Sequence, residues 1–182
     1  MPLRKAASYS KKHFTPYTRN SRRKSQAYIK TIPYSKIVKY NFGDQKAYRD
    51  GKHTYIIKLV ARATVLVRDN ALEACRMQLH KLMEEGAPGE YYLAVKVQPH
   101  HFLRNNKTSG IAGADRMSTG MSHSFGIIEG RAAIVPAGKD ILFVSASTPK
   151  ASKIARETLA SLRSKIPGGT KVLFEDLTIK KQ

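Results

Sequence analysis

Apolar positions along this chain switch between a period of two and a period of three to four, and the switch points predict its elements. Tyr55-Ile56-Ile57-Lys58-Leu59-Val60-Ala61 and then Val65-Leu66-Val67 are runs of β-branched and aromatic residues and predict strands, as does the shorter Ile37-Val38-Lys39-Tyr40. Leu72, Cys75, Leu79, Leu82 and Met83 then fall at i, i+3 and i+4 spacing, which places them on one helical face. Asp69 or Asn70 offers the N-cap of that helix, and Gly86 its end. Period two returns at Leu93, Val95 and Val97 and stops at Pro99. Residues 131–135 and 140–145 predict two further strands, joined by a turn at 136–138. Thr148-Pro149 supplies an N-cap followed by proline at the first helical position. Ala151, Ile154, Ala155, Leu159, Leu162 and Ile166 form the stripe of this second helix, Pro167-Gly168-Gly169 ends it, and residues 171–174 begin a last strand. Two helices among six or seven strands, with no internal repeat, predict an α+β domain whose helices pack on a mostly antiparallel sheet.

Two segments carry neither period. Through Phe42 the chain holds eleven cations, from Arg4 and Lys5 to Lys36 and Lys39, and its first acidic residue is Asp44. Tyr9, His13, Phe14, Tyr17, Tyr28 and Tyr34 are interleaved with the charges, and Pro2, Pro16 and Pro33 break any regular element. Such a stretch has no face to bury, so residues 1–35 are expected to be extended and to order on a partner, leaving residues 36–182 as a single domain. Arg and Tyr can stack on exposed bases while Lys neutralises phosphate. The candidate RNA contacts are Arg4, Lys5, Tyr9, Lys11, Lys12, Tyr17, Arg19, Arg22, Arg23 and Lys24.

Composition sharpens that picture. Among 182 residues, 33 Lys and Arg against 13 Asp and Glu leave a net charge of +20, which calls for a polyanion to neutralise it. No apolar run approaches the ~20 residues of a membrane span, and residues 1–24 lack the apolar stretch and cleavage site of a secretory signal. Cys75 is the single cysteine, which rules out an intramolecular disulfide and a thiolate zinc site and fits a reducing cytoplasm. Its place in the helical stripe makes it a core residue.

The second unpatterned segment, residues 99–124, is long for a connection inside a compact domain, and such loops are usually functional. It offers glycines for close approach, cations for phosphate and small hydrogen-bonding side chains for sugars. Within it, Gly113-Ala114-Asp115-Arg116 is followed by Thr119-Gly120-Met121 and Phe125-Gly126 and preceded by His101, Arg104, Asn106 and Lys107. These residues in this order resemble the universal ribosomal protein sixteen family of the large subunit, in its archaeal branch, where it is called protein ten-e. Pro33, Lys36-Ile37, Gly43, the alanine-rich stretch 71–77, Glu157, Leu159, Lys165, Pro167-Gly168 and Lys171 extend the resemblance over nearly the whole chain. The absence of a long C-terminal extension points to the archaeal rather than the eukaryotic branch. Gln98, Asn105 and Ile134 depart from the family pattern, as do Ala6 and Ser8.

The resemblance implies an α/β-hammerhead fold and a structural constituent of the large ribosomal subunit, bound to rRNA near the 5S rRNA and the aminoacyl-tRNA site. It also implies a central loop approaching the tRNA acceptor end and the peptidyl transferase centre, with His101, Arg104, Asn106, Lys107, Gly113, Asp115, Arg116, Thr119 and Gly120 as the tRNA-proximal residues. Neighbouring ribosomal proteins are the other implied partners, and the chain is expected to be a monomer within the ribosome, in the cytoplasm, with no cofactor. Asp115, a lone carboxylate among cations, suits ordering Arg116 or capping a turn better than acting as a base.

Other chemistries lack their residues. His100-His101 and His123 have no carboxylate or thiolate at ligand spacing, and adjacent histidines on an extended segment point opposite ways. A histidine with Ser124 makes a nucleophile pair only of the sort any polar loop contains. The glycine-rich stretch lacks the Gly-Lys-Ser/Thr ending of a phosphate-binding nucleotide loop. The alternative reading is a non-ribosomal basic RNA- or DNA-binding protein, but both helices are patterned for core packing and neither for a DNA groove. No catalytic constellation is found, so no enzymatic activity is expected.

Overall fold

A computed structural model describes residues 5–7, 10, 32–105 and 127–177. Its strands are β1 (Asn41–Gly43), β2 (Tyr55–Ala61), β3 (Val65–Arg68), β4 (Tyr91–Val95), β5 (His101–Asn105), β6 (Ile127–Val135), β7 (Asp140–Ala146) and β8 (Thr170–Asp176). The helices are α1 (Gln45–Arg49), α2 (Asp69–Gly86) and α3 (Pro149–Ser161), the last continued by a 3-10 turn, Leu162–Lys165. Among the described residues the strands form a five-stranded sheet ordered β1-β4-β7-β2-β8 and a three-stranded sheet ordered β3-β6-β5. Every pairing is antiparallel. The α+β class and the antiparallel pairing expected from the patterning are therefore present.

The main core lies between the larger sheet and the two long helices. Leu72, Cys75, Leu79 and Met83 of α2 are fully buried, as are Ala151, Ala155 and Leu159 of α3 and Leu162 of the 3-10 turn. They pack with Ile57 and Leu59 of β2, Leu93 of β4 and Leu142 and Val144 of β7 in one apolar cluster. Both helices thus bury a stripe of the predicted spacing, except that Leu82, expected in the α2 stripe, is turned to solvent because Met83 takes the core position beside it; burial of the apolar faces seats both helices on the sheet. The opposite face of the larger sheet is covered in part by α1, whose Tyr48 stacks on Tyr92 with ring centroids 5.0 Å apart and meets Phe143 edge-on at 5.5 Å. Capping by Asp44, which accepts from the Ala47 amide at 2.8 Å, starts α1. Its five residues are too few for a helical stripe to show in the sequence.

Four local differences from the patterning have physical reasons. Residues 37–40 are not a strand, because only the Tyr40 carbonyl, which accepts from the Val95 amide at 2.8 Å, reaches β4 before the ladder starts at Asn41. Asp69 is the first residue of α2 and not its cap; its carboxylate accepts from the amides of Lys36 at 3.2 Å and Asn70 at 2.8 Å, tying the incoming chain to the helix start. Residues 101–105, expected in a loop, form strand β5 because β6 begins at Ile127, four residues before the apolar run, and supplies a partner for them. Finally, the strands divide into two sheets, a separation that period-two patterning within single strands does not encode.

Candidate nucleic-acid interface

The smaller sheet is the attachment point of both unpatterned segments. Its central strand, β6, pairs with β5 on one side, and residues 106–126 connect the two. On its other side lies β3, where the Leu66 amide donates to the Ser10 carbonyl at 3.3 Å. The Arg68 guanidinium donates to the Lys5 carbonyl at 3.1 Å. The N-terminal segment is thus held at Lys5 and Ser10 against β3, while the glycine-rich connection joins β5 to β6 of the same three-stranded platform.

A strap of chain crosses the same platform. Arg131 of β6 donates its Nε to the Pro33 carbonyl at 2.6 Å, and its guanidinium lies 5.5 Å from the Phe102 ring. The Lys36 amide is held by Asp69 as described. Between these anchors the Lys36 ammonium donates to the Tyr34 hydroxyl at 2.8 Å and sits 4.5 Å from the centroid of that ring. The hydroxyl favours the charged ammonium, so the pKa of Lys36 is raised, with Asp69 adding a smaller attraction. Tyr34 remains 73% exposed. An anchored ring beside a fixed positive charge can offer a stacking face to a base and a cation to its phosphate. Pro33, Tyr34, Lys36, Arg68, Asp69, Asn70 and Gly130 line a notch of about 90 Å³ at this place, too small for a cofactor.

The histidines separate as extended backbone requires. His101 is buried on β5 opposite Ala132, whereas His100 is exposed with its Nδ1 3.0 Å from the Gln98 carbonyl. Among the described residues no three His, Cys, Asp or Glu side chains converge as metal ligands would. Cys75 lies at the centre of the core, and burial pushes its thiol up to about 12.

Of the expected contact residues, Lys5 is exposed and Arg104 lies on β5. Arg4, Tyr9, Lys11, Lys12, Tyr17, Arg19, Arg22, Arg23 and Lys24 lie outside the described residues. So do Asn106, Lys107, Gly113, Asp115, Arg116, Thr119 and Gly120. The Tyr34–Lys36 pair and Arg131 were not singled out as contacts. Tyr34 and Lys36 are two residues apart after a proline and so share a face of an extended chain, which is a readable signal. Arg131 gives none beyond being a cation at the head of an apolar run.

Comparison with known proteins decides what this platform belongs to. The family model described as Ribosomal protein L16p/L10e matches residues 14–173. This chain belongs to that family. A large ribosomal subunit protein uL16 of Thermofilum pendens is 38% identical over 178 residues, covering 96% of this chain and 98% of the relative. Those of Staphylothermus marinus and Methanococcus maripaludis are 36% identical over 180 residues and 35% over 175. These alignments cover 97% of this chain and 96% of the first relative, and 95% and 94% for the second. The L16p/L10e match takes in most of the N-terminal segment, the whole β5–β6 connection and both long helices. The archaeal relatives agree with the branch the central motif resembles.

Proposed function

We propose that this chain is a structural constituent of the large ribosomal subunit in the cytoplasm, a binder of rRNA and not an enzyme. The relatives are named as large-subunit proteins and match over nearly their whole length, and that correspondence carries the reading. The platform supports a division of labour. Residues 1–35 are the rRNA anchor, with Arg4, Lys5, Tyr9, Lys11, Lys12, Tyr17, Arg19, Arg22, Arg23 and Lys24 as contacts near the 5S rRNA. Residues 36–182 are the folded domain. From it the β5–β6 connection reaches toward the aminoacyl-tRNA site and the peptidyl transferase centre, where Arg104, Asn106, Lys107 and Arg116 approach the tRNA acceptor end. His101, Gly113, Asp115, Thr119 and Gly120 shape the connection's course.

The described holds on the N-terminal segment, at Leu66, Arg68 and Arg131, lie outside residues 107–117, so this connecting arm can be shortened without removing them. Removing residues 107–117 should leave co-sedimentation with large subunits through a high-salt gradient intact while slowing tRNA accommodation or subunit maturation. Failure of the full-length chain to co-sediment would sink the ribosomal reading. Normal translation by subunits carrying the shortened chain would sink the arm's role alone.

A further inference from the structure

A second basic surface lies along α3, beside the last strand of the larger sheet. Lys153, Arg156, Ala160 and Arg163 follow one another at steps of three, four and three residues, which places them on one ridge of α3 and its 3-10 continuation. Each is exposed. From Pro149 to Lys171 the only carboxylate is Glu157, and no ion pair joins Lys153, Arg156 or Arg163 to a carboxylate among the described residues. The ridge therefore keeps its positive charge facing solvent.

Beside it runs β8, an edge strand of the larger sheet among the described residues. Val172 and Phe174 project toward α3, since they pair with Leu59 and Ile57, which α3 covers. Val172 is half-buried, but Phe174 reaches past the helix and is 42% exposed. Its ring lies nearly parallel to that of Tyr55, its diagonal neighbour on β2, with centroids 6.1 Å apart and planes at 16°. The Arg156 guanidinium lies 5.0 Å from the Phe174 centroid. Phe174 stacks on Tyr55 and has the Arg156 guanidinium at its ring, and this stacked series leaves part of the Phe174 ring and the guanidinium exposed. The small side chain of Ala160 leaves the space beyond free, and the groove between ridge and strand measures about 590 Å³.

Only part of the Phe174 ring is used in packing on Tyr55, and the chemistry that its exposed part suits is specific. Nucleobases stack on aromatic rings and on guanidinium planes, while lysine and arginine spaced along a ridge follow phosphates. An acidic peptide would use the cations but leave the stacked series without a counterpart. We propose that this groove is a further RNA-binding site that takes a single-stranded segment of rRNA. One base stacks on the Phe174–Arg156 pair, and the adjoining phosphates meet Lys153 and Arg163. The inference rests on the ribosomal reading and assigns to the chain an rRNA contact separate from the N-terminal anchor and the β5–β6 connection.

The test uses full-length chain added back to large subunits lacking it, with ultraviolet cross-linking mapped by mass spectrometry. Nucleotide adducts are expected on peptides from α3 or β8. Phe174→Leu, and separately Arg156→Gln with Arg163→Gln, should lose these adducts and weaken rebinding about fivefold or more. Phe174→Trp, which keeps a stacking face, should retain both. The arginine variants alter only exposed side chains, so their thermal stability should match the parent. Rebinding of the parent with no adducts on α3 or β8, or unchanged rebinding by the variants, would overturn this site and leave the ribosomal reading standing. So would a lysine-directed cross-link from Lys153 to a neighbouring protein in place of the RNA adduct. Failure of the parent chain to rebind subunits at all would overturn both.

Discussion

Cys75 of α2 and Tyr91 of β4 face the same core and keep their protons because burial denies an anion its water. Burial is the larger cause at Tyr91, and the Glu84 carboxylate, which accepts its hydroxyl at 2.7 Å, raises the pKa further. With its one proton committed to Glu84, the hydroxyl can only accept from His80 Nδ1 at 2.8 Å. Both folded pKa values lie above their unfolded ones, so their contribution to stability is complete below the unfolded pKa and is lost as pH rises toward the folded one. For Cys75 the window opens near the ordinary thiol value of 9.0 and closes at about 12. At pH 10 this group alone should cost about 1.4 kcal/mol of stability. Urea titrations of the parent and Cys75→Ala across pH 7 to 10 would show a smaller alkaline loss in the variant, and equal losses would contradict the assignment.

Gly43 makes a steric prediction of the same kind. It ends β1 at φ +80°, and a Cβ there would fall on the Tyr91 backbone carbonyl. Gly138 has φ +81° with nothing within 4 Å of its would-be Cβ. Gly138→Ala should therefore cost only the left-handed backbone penalty of about 1 kcal/mol. Gly43→Ala adds a backbone clash and should cost at least about 2 kcal/mol more, since backbone cannot yield as a side chain does. Denaturant midpoints compared between the two variants settle the order.

Elements are where the sequence was most readable, and their ends show why. Thr148 caps α3 as its pairing with Pro149 predicts: its hydroxyl accepts from the Ala151 amide at 3.3 Å and donates to Glu90 at 2.7 Å. Thr148→Ala should cost about 1 kcal/mol, with Thr148→Ser recovering most of it; an alanine variant as stable as the parent would mean the cap contributes nothing. Helical stripes, the Pro136 turn and the β2 and β7 strands were equally legible, because each is a local pattern repeated over several residues. Strand β5 was not, since His101, Phe102 and Leu103 are all buried and show no alternation; only the partner strand reveals them. The strap through Pro33 and the stacked series at Phe174 were hidden for the same reason. Both depend on residues far apart in the chain, Arg131 with Pro33 and Arg156 with Phe174. The Gly-Ala-Asp-Arg run disclosed the family, but a motif cannot say which surfaces of the folded domain stay exposed and charged.

At the scale of the molecule, a net charge of +20 is spread over surfaces that differ in what they can hold. The N-terminal segment carries cations without a carboxylate, while the α3 groove carries three against one. If association with rRNA is driven by displacing counterions from phosphates, the logarithm of the binding constant should fall linearly with the logarithm of salt concentration. Each phosphate contact then contributes a slope of about −0.7 to −0.9. Six or more contacts would give the parent chain a slope of about −5 or steeper. Replacing Arg19, Arg22, Arg23 and Lys24 by glutamine should flatten it by about 3, and replacing Arg156 and Arg163 by about 1 to 2. Neutralising Lys58, whose ammonium already pairs with Glu175 at 2.9 Å, should change it little. A slope insensitive to which cations are removed would mean that the charge acts as a diffuse field, while site-dependent changes would locate the strands of RNA on the surface.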